Sequence, residues 1–228
     1  MVHIGFIPDG NRRWCKQNKM KYNHINLSDY WTNHFIRIIN MLNHRTLEPF
    51  NKLTEISFYI CSIENLKRKD NTKELIFELI RNIYKIMNNL GSYFTENTID
   101  HFFSLLENLK LNILGDIEIL PDDIQIILKK IQKRCKGDKY TLNLAIAYDF
   151  KKELLNYGHN YLPNYTSSQS DIDIVFRSGG EQRISGFFPT KIMYSELFFI
   201  EKLWPDVNVD DIKRVINDFN GRQRRFGR

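Results

Sequence analysis

The stretch HIGFIPDGNRRW, residues 3–14, joins a short apolar run to a charged turn. The apolar run is continuous rather than alternating, which is typical of a strand covered on both faces of a sheet. A glycine turn, one carboxylate and two arginines follow it at once. The stretch therefore predicts a buried parallel strand with polar chemistry at its carboxyl end.

Five more short apolar runs follow along the chain, with helical patterns between them. The six runs cover residues 3–7, 56–61, 109–114, 141–147, 172–176 and 197–200. The helical patterns cover residues 28–44, 72–90, 96–108, 121–135 and 209–226. This alternation predicts the α/β class, with one mostly parallel six-stranded sheet flanked by helices. No linker divides the pattern, so we expect a single domain over residues 1–228.

Length and composition narrow the class of partner. The chain has 228 residues, 42% of them hydrophobic, which is enough for one sizeable core. Its formal net charge of +6 indicates an anionic partner, which could be nucleic acid, anionic lipid or a phosphorylated small molecule. No apolar stretch reaches the roughly 18 residues of a membrane span, so we expect a soluble chain in the cytoplasm or at a membrane surface. The three cysteines lack metal-ligand spacing and are interpreted as reduced thiols.

Polar clusters follow three of the predicted strands, at residues 9–14, 62–68 and 177–185. Ligands of open parallel sheets bind outside the carboxyl ends of the strands, so we expect the three clusters to meet at one rim. Gly10 permits a tight turn at a helix start, where backbone N–H groups face an anion. Arginine side chains bind phosphate oxygens in bidentate pairs. The clusters contain Arg12, Arg13, Arg68, Arg177 and Arg183. They predict a diphosphate site.

Asp9 is unexpected in such a site, because a lone carboxylate repels phosphate. A divalent cation explains it, since Mg²⁺ is usually held by one or two carboxylates together with substrate phosphates. Glu196, in the stretch KIMYSELFFIEKLWPD, is a candidate second carboxylate. The sequence therefore predicts a Mg²⁺-diphosphate site.

Each feature also has an ordinary structural explanation. A turn with solvated arginines accounts for residues 9–14, and a surface loop accounts for residues 177–185, although their joint occurrence at separate strand ends favours function. His24 alone fits a surface or core histidine, and the basic run 129–136 fits a solvated helix face. An apolar stripe in the helical pattern 72–90 fits core packing or, in part, a tunnel for a hydrocarbon. The stripe contains Leu75, Ile76, Leu79, Ile80, Ile83, Met87 and Leu90.

The chain resembles the cis-prenyltransferases, a family that includes undecaprenyl diphosphate synthase and dehydrodolichyl diphosphate synthase. The matching stretches are HIGFIPDGNRRW, FYICSIENLKR, LNILGD, LNLAIAYD, DIVFRSGGEQRISGFFPTKIMYSELFFIEKLWPD and RQRRFG. The resemblance implies a parallel-sheet α/β domain with a hydrophobic tunnel, and a homodimer. It further implies Mg²⁺-dependent condensation of isopentenyl diphosphate with an allylic diphosphate, commonly farnesyl diphosphate, to a Z-polyprenyl diphosphate.

The resemblance also implies roles for individual residues. Asp9 would be the essential carboxylate and hold Mg²⁺, with Glu196 as a second metal-associated carboxylate. Asn65 matches a residue assigned to proton transfer, which we interpret as positioning because a neutral amide is a poor base. The allylic diphosphate would be held by Gly10, Asn11, Arg12 and Arg13, with Trp14, Lys21 and His24 nearby. The second motif supplies Ser62, Glu64 and Arg68, the isopentenyl diphosphate site Arg177, Arg183 and Ser185, and the C-terminal motif at the dimer interface Arg225 and Gly227.

Several positions depart from the family pattern. Pro8 replaces the usual methionine before the aspartate, Leu66 replaces a tryptophan, and Asp149-Phe150 replaces a Gly-Gly pair. The segment between Tyr148 and Asp171 is short, so we expect a trimmed helix there. Two alternatives stay open, a noncatalytic partner subunit of the same fold and a basic nucleic-acid-binding protein. The retained Asp9 favours a catalytically competent homodimer over a noncatalytic partner subunit. We expect no nucleic-acid partner, and peripheral membrane contact only for product release.

Overall fold

The computed structural model describes residues 1–43, 48–88, 96–158 and 170–225, and gives the backbone alone for 24–26, 42–43, 96–101 and 156–158. Six strands form one sheet in the order β3-β4-β2-β1-β5-β6. All five neighbouring pairs are parallel. The strands are β1 (Val2–Ile7), β2 (Leu53–Tyr59), β3 (Leu109–Leu114), β4 (Tyr140–Ala145), β5 (Ile174–Arg177) and β6 (Glu196–Phe199). The predicted six-stranded α/β sheet is confirmed.

Eight α-helices connect and cover the strands in the described ranges. They are α1 (Asn11–Gln17), α2 (His24–Ile39), α3 (Ile63–Leu66), α4 (Thr72–Met87), α5 (Glu96–Asn108), α6 (Asp122–Arg134), α7 (Phe150–Gly158) and α8 (Val209–Gly221). Five of these, α2, α4, α5, α6 and α8, were predicted, but α2 begins four residues earlier than expected, at His24. The short helices α1 and α3 were not predicted. Helix α7 lies in the segment where a trimmed helix was expected.

Most helices cover one face of the sheet. Phe6 of β1, Phe58 of β2 and Phe176 of β5 point to this face and are fully buried. The Phe6 and Phe58 rings stack with centroids 4.9 Å apart, and Phe35 of α2 lies against Phe58 at 5.0 Å. The core between the sheet and helices α2 and α4 is therefore tightly packed with aromatic rings.

Helix α6 shows how the basic run is placed. It begins after Pro121 with two aspartates in its first turn, as expected for the positive end of a helix dipole. It buries Ile124, Leu128 and Ile131 and exposes its lysines. The interpretation of the basic run as a solvated helix face is confirmed.

Among the described residues no helix is both long and apolar enough to cross a bilayer.

Candidate active site

One open cavity of about 950 Å³ lies at the carboxyl ends of the central strands. The three polar clusters after β1, after β2 and at the end of β5 all line it, so their predicted convergence is confirmed. Twelve candidate residues contribute to its wall. They are Asp9, Gly10, Asn11, Arg12, Arg13, Ser62, Glu64, Asn65, Arg68, Arg177, Arg183 and Ser185.

Asp9 is fixed by its backbone as well as by its side chain. The Ser178 hydroxyl accepts a hydrogen bond from the Asp9 N–H (3.0 Å) and donates one to the Asp9 carbonyl (2.9 Å). The Trp204 N–H donates to the same carbonyl at 2.9 Å. Because these contacts hold Asp9 on both sides of its Cα, Pro8 does not turn the carboxylate out of the cavity.

Gly10 is required by both conformation and space. Its φ of +100° lies in the left-handed region, and a Cβ there would stand 2.7 Å from Leu203 Cδ2. The Gly10 N–H donates to Asp9 Oδ1 at 2.6 Å, and helix α1 begins at the next residue. The DGN turn therefore aims the carboxylate and the first helical turn at the same cavity.

Arg177 joins the first and third clusters. Arg177 is only 3% exposed, and its Nη2 donates to Asp9 Oδ2 at 2.7 Å. Nη1 donates to Ser185 Oγ at 2.9 Å and to the Arg183 carbonyl. Charge-assisted hydrogen bonds of this kind are the strong ones in proteins. Arg177 is therefore a buried side chain that orients Asp9 and the loop up to Ser185.

The second cluster is shaped by a capping box. Ser62 precedes α3, and its hydroxyl accepts from the Asn65 N–H at 3.1 Å, while Asn65 Oδ1 accepts from the Ser62 N–H at 2.9 Å. The Ser62 hydroxyl also donates to Asn65 Oδ1 at 3.1 Å. The side-chain amide oxygen of Asn65 thus already accepts two hydrogen bonds, which supports a role in positioning rather than a role as general base.

Tyr59, the last residue of β2, connects the second and third clusters. Its hydroxyl donates to the Ser185 carbonyl at 3.2 Å and lies near Ser62. Burial raises the pKa of Tyr59 to about 12, so the phenol stays neutral. Sequence reasoning missed this residue, although its place at the end of a central strand was a usable signal.

The cavity wall carries more positive than negative charge. Seven of its side chains are basic and four are carboxylates. At the rim Arg12 pairs with Asp70 at 3.1 Å. Burial acts to raise the pKa of Asp70, but hydrogen bonds from Thr72 and the charges of Arg12 and Arg68 hold it below its usual value. Asp70 therefore stays ionised beside an anion-binding cavity.

The oxygen atoms near Asp9 suit Mg²⁺ only in company with a diphosphate. The described part of the chain contains no group of three His, Cys, Asp or Glu side chains that could hold a metal by itself. Asp9 offers one carboxylate to the cavity, and the buried Asn11 Oδ1 has no hydrogen-bond partner there. One carboxylate with phosphate oxygens and water is a usual Mg²⁺ environment, and a metal-bound water can donate to a free amide oxygen. The residues present fit the predicted ion.

An apolar wall leads away from the charged rim. It is formed by Ile60 and Ile63 near β2, by Trp31 of α2 and by Ile76 of α4. Of the α4 stripe only Ile76 lines this cavity, whereas Leu75, Ile80 and Met87 are buried in the core and Leu79 and Ile83 are half-buried. Leu90 lies outside the described residues. Core packing therefore accounts for most of the stripe, and a tunnel beyond Ile76 stays a prediction.

Trp14 does not line the cavity. It is buried against Cys15, Leu27, Leu75 and Leu203, and its indole N–H donates to the Asp206 carboxylate at 2.7 Å. The expectation that it borders the site is wrong for this cavity. The reason is helical geometry, because residues 11–13 of α1 face the cavity while the next positions turn toward the core.

Glu196 and Asp9 are not brought together within one chain. Glu196 begins β6, whereas Asp9 follows the end of β1. In a parallel sheet the amino ends of the strands lie on the side opposite to their carboxyl ends, so the two carboxylates are far apart. Glu196 instead pairs with Arg222 at 2.7 Å. Lys21 and Arg225 are exposed and outside the cavity wall. The side chain of His24 and the whole of Gly227 lie outside the described residues.

Residues absent from the sequence prediction complete the wall. They include Lys16, Tyr22, Trp31, Tyr59, Thr72 and Asp149. Tyr22 and Thr72 join through their hydroxyls at 3.2 Å, which ties the loop before α2 to the start of α4. Asp149 follows β4, and its position after a strand was the available signal. These contacts depend on how loops return to the sheet, which residue spacing alone does not specify.

Comparison with known proteins agrees with this geometry. A family model described as "Putative undecaprenyl diphosphate synthase" matches residues 7–227. A tritrans,polycis-undecaprenyl-diphosphate synthase (geranylgeranyl-diphosphate specific) of Pyrobaculum aerophilum is 28% identical, over 100% of this chain and 96% of that protein. An isoprenyl transferase of Rickettsia typhi is also 28% identical, over 99% of this chain and 97% of that protein.

Two solved structures share the fold. Lavandulyl diphosphate synthase from Lavandula x intermedia, in complex with dimethylallyl diphosphate, superposes with a TM-score of 0.75 at 19% identity, over 99% of this chain and 98% of that one. A "probable undecaprenyl diphosphate synthase" from Campylobacter jejuni gives 0.70 at 22% identity, over 100% and 99%. With the family model matching almost the whole chain, this chain belongs to the undecaprenyl diphosphate synthase family and is a prenyl transferase of the cis type.

Proposed function

We propose that this enzyme condenses isopentenyl diphosphate with an allylic diphosphate primer, in the presence of Mg²⁺, to make a Z-polyprenyl diphosphate. The observation that carries the proposal is the single cavity in which Asp9, the capping box of α3 and the buried Arg177 meet. Its rim is basic and its inner wall apolar, which suits a substrate with a diphosphate head and a hydrocarbon tail.

Some residues of the cavity would bind the diphosphate groups by their charge, and others would fix the positions of these groups. Arg12 and Arg13 stand where the primer diphosphate would enter the first turn of α1, and Arg183 and Ser185 stand where isopentenyl diphosphate would bind. Bound Mg²⁺ would neutralise charge on the departing diphosphate. Fixed donors aimed at a leaving group lower the barrier because they need no reorganisation during the reaction. Asp9 would hold the ion, and the position of the Asp9 carboxylate depends on Arg177.

Primer identity is the finer question. The sequence resemblance predicts farnesyl diphosphate, while several archaeal relatives carry names that specify geranylgeranyl diphosphate. The two primers differ by one five-carbon unit in the tail, and the apolar wall around Trp31 and Ile76 is where that unit would lie. A direct comparison of both primers belongs in the assay.

The test uses purified protein, Mg²⁺, labelled isopentenyl diphosphate and each of several allylic primers. We expect labelled, extended polyprenyl diphosphates whose length chromatography reports, and near-complete loss with Asp9→Ala. Asp210→Ala is the matched control, because Asp210 is an exposed aspartate in the first turn of α8, outside the cavity. No product with any primer from a folded protein would favour a noncatalytic partner subunit.

We further propose a homodimer that pairs through the β6 edge of the sheet. Three large apolar side chains are exposed there, Met193 (78%), Tyr194 (61%) and Leu197 (43%). An edge strand with apolar neighbours is a ready site for association with a second chain. Arg224 bonds Asp173 and the Tyr194 carbonyl, so the C-terminal segment runs along this edge, where Arg225 could reach a partner.

Sedimentation analysis tests the dimer. Leu197→Lys should shift the protein toward monomer, whereas Ile126→Lys, at an exposed isoleucine of α6, which packs against the opposite edge strand β3, should not. A monomeric wild type at micromolar concentration would contradict the proposal.

Peripheral membrane contact is proposed only for product release, because each buried CH₂ of the tail stabilises the bound product by about 0.8 kcal/mol. Added lipid vesicles should then raise steady-state turnover.

A further inference from the structure

The proposed reaction ends with the loss of a proton, which a group in the cavity must accept. The carbon–oxygen bond of the primer breaks and its electron pair leaves with the diphosphate. The double bond of isopentenyl diphosphate supplies the electron pair of the new carbon–carbon bond and becomes a tertiary cation. A proton then leaves the adjacent CH₂, and the electron pair of that C–H bond forms the new double bond. This question rests on the proposed function.

Asn65 and Tyr59 are poorly suited to accept this proton. Asn65 is a neutral amide whose Oδ1 already accepts from Ser62 twice. The phenol of Tyr59 is neutral and donates its hydrogen to the Ser185 carbonyl. A general base must be unprotonated and free on at least one lone pair. Among the side chains of the wall, this leaves the carboxylates as the candidate acceptors.

Three of the four carboxylates in the cavity wall are ion-paired. Asp9 is bound by Arg177 at 2.7 Å. Glu64 lies 2.8 Å from Lys67, and Glu181 pairs with Arg183. Asp149 is the fourth, and within the described ranges no basic group lies within 4 Å of its carboxylate.

The fold brings Asp149 next to the Ser62 turn. The Tyr148 carbonyl accepts from the Ile63 N–H at 3.1 Å, and Ser62 and Tyr148 form an isolated parallel bridge. Asp149 is the next residue, half-buried in the same cavity wall. Its Oδ1 accepts from the Lys151 N–H at 2.9 Å at the start of α7. That bond fixes the side chain and leaves Oδ2 for a second partner.

The backbone that presents Asp149 is strained. Ala147 has φ of +52°, a left-handed conformation that a non-glycine residue adopts at a cost of about 1–3 kcal/mol. It is fully buried, and its N–H donates to Cys61 Sγ at 3.3 Å. Such strain persists where surrounding contacts fix a functional geometry. Here it turns the chain after β4 so that Tyr148 meets Ser62 and Asp149 faces the cavity.

We propose that the Asp149 carboxylate is the catalytic proton acceptor, taking the proton on Oδ2 while Ser62 and Asn65 position the isopentenyl unit. The half-exposed carboxylic acid then loses the proton to water. The titratable groups whose charges interact with Asp149 are Tyr59 of β2 and Lys152 of α7, and Lys151 lies beside Asp149 in the cavity wall. Lys152 is already paired with Asp116.

Asp149→Asn is the decisive variant, because it keeps the shape and a side-chain oxygen that can cap α7. In single-turnover experiments we expect the rate of product formation to fall about 100-fold or more. Calorimetric affinity for isopentenyl diphosphate should stay within about threefold of wild type. Deuterium at the CH₂ that loses the proton should slow the variant more than the wild type.

Conservative variants separate catalysis from structure. Asp149→Glu should recover part of the rate, and added formate should rescue Asp149→Ala. Asp210→Asn, the same substitution in the first turn of α8, should leave the rate unchanged. Equal rates for wild type and Asp149→Asn would overturn the proposal. So would full recovery of Asp149→Asn at high Mg²⁺, which would make Asp149 a metal ligand. A wild type without product would instead refute the proposed function, not this assignment alone.

Discussion

The buried guanidinium of Arg177 offers the sharpest test of how the site is held together. Its planar fork reaches three acceptors at once, namely Asp9 Oδ2, Ser185 Oγ and the Arg183 carbonyl. Lysine keeps the charge but presents a single nitrogen at the end of a flexible chain. Arg177→Lys should therefore keep the ion pair with Asp9 and lose the other two contacts.

The size of the effect follows from those contacts. A hydrogen bond that involves a charged group contributes about 1.5–3 kcal/mol. Losing two would cost about 3–6 kcal/mol, and water entering the space would recover part of it, so we expect about 3 kcal/mol. If the loss falls on the transition state, that corresponds to a decrease of about 100-fold in kcat/KM for isopentenyl diphosphate.

Steady-state kinetics with a fixed primer and varied isopentenyl diphosphate measure this decrease. Arg81→Lys is the control, because Arg81 also bonds two carboxylates, Glu78 and Asp123, but lies outside the cavity wall. It should change kcat/KM by less than about twofold. A folded Arg177→Lys variant within about threefold of wild type would refute the view that the fork of Arg177 orients the site.

Protonation, backbone conformation and metal supply give three more outcomes. Burial, with a smaller contribution from the Arg37 charge, lowers the pKa of His34 to about 4. The unfolded chain therefore binds this proton first as pH falls, and the free energy of unfolding should drop by about 2 kcal/mol between about pH 7.5 and about pH 5. Urea titrations should show a smaller drop for His34→Gln, which can still donate to the Trp204 carbonyl. Gly10→Ala should destabilise the protein by about 1–3 kcal/mol in thermal denaturation, because it forces a side chain into a left-handed turn against Leu203. Chelation of Mg²⁺ should abolish turnover and added Mg²⁺ restore it, while activity in the presence of chelator would contradict the metal role.

The sheet could be predicted because its strands are covered on both faces, which produces continuous apolar runs. The limits of β2 were less accurate, since it begins at Leu53 and not at residue 56. Glu55 within the added part bonds the Asn143 amide at 2.7 Å and Ser170 at 2.6 Å. On the same face His3 and Ser57 are buried and joined at 2.7 Å. A polar network inside a sheet lies beyond a rule that looks for apolar runs.

The short helices were missed for a different reason. Helix α1 has seven residues, too few for intrinsic propensity to stabilise it. It forms because Trp14 and Cys15 pack against Leu27, Leu75 and Leu203, which come from distant parts of the chain. The same packing explains why Trp14 was misplaced in the predicted site. A tryptophan next to a functional turn reads as part of the site until the helix is known to turn it inward.

The candidate site was predicted where a general rule of parallel sheets applied, and missed where the path of a loop decided the outcome. The three clusters after β1, after β2 and at the end of β5 meet because the carboxyl ends of parallel strands all lie on the same side of the sheet. Tyr59 depends on which face of β2 its side chain takes, and Asp149 on the strained turn after β4. Glu196 was wrongly expected near Asp9 within one chain, since it begins β6 and therefore lies at the amino ends of the strands, opposite to Asp9.

The number of arginines around the cavity overstates the strength of diphosphate binding. Arg12, Arg177 and Arg183 already bond Asp70, Asp9 and Glu181. For these, a phosphate oxygen replaces an existing acceptor, so each gains less than the 1.5–3 kcal/mol of a new charge-assisted bond. At Arg177 the exchange has a second effect, because a diphosphate that takes its Nη2 leaves Asp9 Oδ2 without a partner. Asp9 would then be free to hold a divalent cation, which would balance the charge of the diphosphate, so under the proposed function the ion pair would couple metal binding to substrate binding.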